Sequence, residues 1–210
     1  MSHRSFCAAT LALALAIPGA ARAQSWETPA FFAPRPGDDI GIHAIDAEGA
    51  DLGLMAIWRQ AGAVNLGVRA GFGGYSGART ILLGAELSGV LLEPEPGRML
   101  AAAWMAGAGA SFDGATWLRV PIGVSVGARF GEAGFAVTPY AHPRVSLDYV
   151  AHERIDDVEA TSTEINFDVD LGAELEVSTR WLIRAAVTLG DREAFGFGLA
   201  YRIPRRIAVR

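Results

Sequence analysis

The chain has no lysine, and its one cysteine, Cys7, stands near the amino terminus. Cys7 lacks the Leu-x-small-Cys context of a lipoprotein anchor and lies in a segment expected to be removed. The mature chain is therefore expected to have no thiol, which excludes disulfides and thiolate chemistry in any redox compartment. Long apolar runs are also missing: beyond residue 23 the longest uncharged stretch, residues 99–112, covers 14 positions. A membrane-crossing helix needs about 20. Nor is there an excess of positive charge. The formal net charge is −5, so nucleic acid is not an expected partner.

What the sequence does contain begins with an export signal. His3 and Arg4 give a short basic start, residues 6–17 an apolar stretch, and Pro18 and Gly19 a helix break. Ala21 and Ala23 place small residues where a signal peptidase reads, making Gln24 the expected mature start. The rest is of single-domain size. The expected division is signal peptide 1–23, amino-terminal segment 24–37, main domain 38–203 and carboxy-terminal tail 204–210.

From residue 51 onward apolar residues alternate with polar or small ones. Leu52, Leu54, Ala56 and Trp58 share one face; Gly53, Met55, Ile57 and Arg59 share the other. The same alternation recurs through eight further segments. The uncharged face of these nine strands carries Trp58, Phe72, Phe112, Phe130, Phe135, Tyr149, Trp181 and Tyr201 near strand ends. The opposite face carries Arg59, Arg69, Arg119, Arg129, Arg144, Arg184 and Arg202, with Glu86, Asp148, Asp168, Asp170, Glu174 and Glu176.

Such alternation fits a soluble sandwich or barrel with an apolar core, or a membrane barrel with lipid outside and charge inside. Three features favour the membrane barrel. The charge-free stripes match the 9–11-residue tilted strands that cross a bilayer. The aromatics cluster at strand ends, where a girdle meets lipid headgroups; a soluble core would favour them at mid-strand. The charged face mixes large ionised residues with Gly, Ala and Ser, which suits a crowded interior better than a solvated face, because glycine weakens strands.

A weaker strand over 39–45 precedes the nine. Single-chain bacterial barrels have even strand numbers, so ten strands are expected, with eight the alternative if the first hairpin stays out of the wall. The short connections at 60–63, 93–98, 131–134 and 178–179 read as periplasmic turns. The longest, 151–163, reads as an outer loop, which puts both termini in the periplasm. On the last strand, Gly198, Tyr201 and Ile203 have a spacing that resembles the carboxy-terminal signal read by the outer-membrane insertion machinery. Gly196 departs from it, standing where a polar residue is usual, and so does the tail after residue 203. The whole mature chain resembles the broad class of small outer-membrane β-barrel proteins. That resemblance implies an all-β, closed, antiparallel up-and-down barrel in the cell outer membrane, in contact with outer-membrane lipid.

The candidate sites are few. The thirteen charges on the inner face nearly cancel and are expected to pair, as a structural plug or as a pore lining. The tight turn at Ser178 should bring Glu174 to Arg184. His142, Ser146 and Asp148 share one strand face and suggest a hydrolase. Residues four apart on a strand, however, lie about 13 Å apart, against the roughly 3 Å that proton transfer needs. Glu153, Asp156, Asp157, Glu159 and Glu164 lack the regular spacing of a calcium loop. Gly71, Gly73 and Gly74 precede no helix and do not form a phosphate loop. Residues 24–36, with Trp26, Phe31, Phe32 and three prolines, suit either the barrel base or its lumen. The expectation is a monomeric, non-enzymatic envelope protein without metal or cofactor; a narrow solute channel and a lipid-modifying enzyme are the alternatives.

Overall fold

The computed structural model describes residues 28–47, 51–75, 78–95, 99–112, 116–151 and 161–204. The expected signal peptide, Trp26, most of the tail and four of the five loop acids lie outside them. Glu164 is described, on a strand opposite Asp148.

The strands are β1 (Asp39–Ala47), β2 (Asp51–Gln60), β3 (Asn65–Tyr75), β4 (Ala78–Leu92), β5 (Leu100–Phe112), β6 (Thr116–Ala128), β7 (Phe130–Glu132), β8 (Phe135–Ala151), β9 (Thr161–Glu176), β10 (Trp181–Gly190) and β11 (Ala194–Arg202). Each pairs antiparallel with its neighbour. β11 returns to β1, with Asp39 opposite Arg202 and Ala47 opposite Ala194, so the sheet closes. β6 pairs with β8, and the three-residue β7 continues the same wall position beside the start of β8. The wall thus has ten positions, and β1 belongs to it.

One boundary differs from the alternation. The sixth wall strand, expected to run unbroken through Phe130, is interrupted at Arg129. The Arg129 guanidinium folds back to donate to the carbonyls of Gly131 and Glu132 while Nε holds Glu176 at 3.0 Å. The hairpin beyond it turns on Gly131 and Gly134, at φ 114° and 90°, values that disfavour any side chain. The turn after β9 is closed by the Ser178 hydroxyl, which accepts from the amides of Arg180 and Trp181.

The apolar stripe faces outward. Ile122 is 62% exposed, Phe197 53% and Leu83 48%. Met55, Arg69, Arg119, Arg144 and Asp168 face inward and are buried. This inverts the order of a soluble protein, whose large apolar side chains go inside and whose arginines stay in water. Of the strand-end aromatics, Phe72, Phe112, Phe130, Phe135, Tyr149 and Trp181 stand exposed on the outer face, and Trp58 and Tyr201 partly so. Trp181 and Tyr201 meet edge to face at 5.1 Å. Trp58, Phe130, Phe135, Trp181 and Tyr201 ring the base, the end where β1 begins. Phe72, Phe112 and Tyr149 lie toward the opposite, outer end.

Candidate functional site

Among the described residues, the buried charged and polar side chains gather in the lumen. In its outer half Arg119 lies across Asp148 in a two-point contact, Nε to Oδ1 at 2.7 Å and Nη2 to Oδ2 at 2.6 Å. Asn166 donates to the same Asp148. Arg192 sits in the turn after β10, yet its side chain reaches inward to Asp168 at 2.6 Å, to Asp148 and to the Ser146 hydroxyl. Arg144, fully inside, lies 3.4 Å from Asp170 and 3.8 Å from Asp168.

At the base Arg184 holds Asp39 at 2.6 Å and Glu174 at 2.8 Å. The Glu174 contact is the one expected from the Ser178 turn. Arg129 and Arg202 complete this end on Glu176, and both remain partly exposed. Between the two layers Glu86 is shared by Arg59 and Arg69. The Glu86 side chain crosses the wall where β3 has Gly67, whose absent Cβ would collide with it. His142 and Arg144 likewise press against Gly123. Large charged groups and their small neighbours thus alternate around the interior.

For the amino-terminal segment, expected either at the barrel base or in the lumen, the described part takes the second place. Residues 28–34 are buried inside the barrel. Arg59 donates through Nη1 to the Phe31 carbonyl and through Nη2 to the Ala30 carbonyl, each at 2.9 Å. Arg69 also reaches Ala30 O, at 3.3 Å. Asp170 accepts from the Ala30 amide at 2.9 Å, and Ser125 donates to Phe32 O at 2.6 Å. Phe31 stacks on His43 at 4.3 Å and joins Ile45, Met55, Ile57 and Leu82 in one apolar cluster. Phe32 packs with Ala30, Ala103 and Met105 in another, edge-on to His142 and beneath the Arg59 guanidinium. The physical reason is mutual need. Met55, Ile57, Leu82 and Met105 point into a lumen where water would otherwise wet them, and two phenyl rings cover them.

The same packing accounts for Gly196. A Cβ there would collide with the Phe31 ring, which is why no polar side chain occupies the position. Gly198 lies against the His43 ring in the same way. Tyr201 is on the outer face and Ile203 just beyond the strand.

His142, Ser146 and Asp148 are not assembled into a triad. The His142 ring lies against Phe32, the Ser146 hydroxyl is engaged by Arg192, and Asp148 is held by Arg119. Sequence reasoning missed Asp39, His43 and Arg192. Asp39 opens a strand read as weak, and Arg192 sits in a turn with no alternation to mark its direction. The inward Met55, Ile57 and Met105 were the available signal for an apolar occupant.

No protein-family model matches the chain, and no curated protein matches it. Solved structures similar in fold include the N-terminal β-barrel domain of Pseudomonas aeruginosa OprF, at 11% identity and TM-score 0.42, covering 80% of this chain and 100% of that one. The KdgM porin matches at 8% and 0.40, over 79% and 99%. The outer membrane enzyme PagL matches at 14% and 0.40, over 80% and 99%. None of these likenesses bears on role.

Proposed function

We propose that this protein is an integral outer-membrane barrel, closed to solutes at rest, with a structural or envelope-interaction role rather than a catalytic one. The observation that carries this reading is the occupied lumen: ion pairs cross its outer half along β6, β8 and β9, and residues 28–34 occupy the lower half. The outward leucines, valines and phenylalanines call for an apolar surround, which acyl chains supply. Both ends of the wall sequence, Asp39 and Arg202, lie at the base, so the base faces the periplasm. The longer strands β8 and β9 then project at the cell surface. Insertion relies on the assembly machinery that reads the last strand, and the barrel works as a monomer in contact with lipid. The engagement of Ser146 by Arg192 and of His142 by Phe32 supports the non-catalytic reading.

Planar-bilayer recording of the purified full-length protein tests this reading. Silent membranes after verified insertion are expected, and large, stable conductance would overturn it. Turnover of phospholipid or lipid A in reconstituted vesicles would favour the enzyme alternative instead.

A further inference from the structure

The segment that fills the lower lumen is bound in an unusual way. Residues 28–34 pair with no strand, and the polar contacts named above join their backbone to wall side chains only: Arg59, Arg69, Ser125 and Asp170. The wall closes without them, through β1 with β11 and β6 with β8. They can therefore leave without breaking a ladder, and β1 keeps both its partners.

Two further features point to a removable occupant. Phe31 has a φ of 49°, a left-handed conformation that a phenylalanine holds only when its surroundings impose it. The contacts to His43 and Arg59 hold a strained residue in place, and withdrawal would relieve it. Gly37, just before β1, has nothing within 4 Å of where a Cβ would stand, so no packed neighbour there opposes a change of chain direction. Above the segment, the outer ion pairs lean on β6, β8 and β9. The β4 and β5 wall there offers glycines to the lumen, Gly84 paired with Gly109 and Gly107 opposite Glu86.

We propose that the barrel encloses a permeation path for small polar solutes, stoppered by its own residues 28–34, and that it conducts when this segment withdraws. The proposal rests on the resting barrel being closed. Withdrawal turns the Arg59 and Ser125 groups that now bind the segment's carbonyls toward a passing solute, with the Asp170 carboxylate opposite them. Glu86 stays paired with Arg59 and Arg69. Charges of both signs face the vacated path, which suits small neutral or zwitterionic solutes and gives little preference between cations and anions. The apolar seat of Phe31 and Phe32 becomes wet in that state, which favours return of the segment.

The test compares three proteins in planar bilayers: the full-length chain, a variant lacking residues 28–34, and the full-length Phe31→Ala/Phe32→Ala variant. Each is first shown to be folded by a heat-dependent shift in gel mobility. The full-length chain should be silent. The deletion should give stepwise currents with a reversal potential near zero in a salt gradient, and the double variant should give intermittent openings. A synthetic peptide of residues 28–34 should block the deletion variant. Folded variants that stay as silent as the full-length chain would overturn the stopper while leaving the closed resting barrel intact. Loss of folding in both variants would also overturn it, because the segment would then be part of the wall's stability. Conductance of the full-length chain would instead defeat the closed barrel itself.

Discussion

Arg184 shows at the level of one residue how the interior holds together. Its guanidinium is buried between Asp39 and Glu174. Removing one partner of such a group leaves the others charged and poorly solvated, at about 3–5 kcal/mol. Arg184→Ala, which strips two carboxylates of their counter-ion, should therefore lower the urea midpoint of the detergent-solubilised barrel and, with it, the unfolding free energy by about 3–5 kcal/mol. Arg202, partly exposed on contacts of 3.5 and 4.0 Å, belongs to the class of pairs worth about 0–1 kcal/mol. Arg202→Ala should leave the midpoint nearly unmoved. Equal losses from both variants would contradict the buried ion-pair account. Of the two carboxylates at Arg184, Glu174 was legible from the sequence, because a short turn fixes the register of β9 against β10. Asp39 was not: it lies 145 positions away and meets Arg184 only because the barrel closes.

At the scale of the element, period-2 alternation makes each strand two-faced, and the faces can be tested one at a time. Ile122 of β6 points outward, and its neighbour Gly123 points into the lumen against His142 and Arg144. An arginine on the lipid face costs about 2–4 kcal/mol at mid-bilayer. Ile122→Arg should lower folding yield into vesicles and the unfolding free energy by that amount. An unchanged variant would mean that this face meets water. The strand pattern also carried a warning. β2 brings Met55 and Ile57 inward, β4 Leu82 and β5 Met105, large apolar side chains in an interior rich in charge. Alternation assigns them to a face; it cannot say what touches them. The break at Arg129 was equally hidden, since it depends on carbonyls that come within reach only once the hairpin has formed.

For the whole molecule, a closed ten-position wall with no free edge should resist detergent until heated. The native protein is expected to fractionate with outer membranes and to migrate faster before boiling than after. Recovery in the soluble periplasm, or a single mobility, would contradict the membrane barrel. The sequence alone determined the strands, the two faces of each and the direction in which charge must point, because alternation is a local consequence of a backbone that turns side chains to opposite sides at every step. Only the tertiary structure decided that ten positions close through β1 and β11, that Arg192 folds into the mouth, and that residues 28–34 lie inside rather than below. Those outcomes depend on which distant residues the closed wall brings face to face, and on an apolar hollow that no single strand contains.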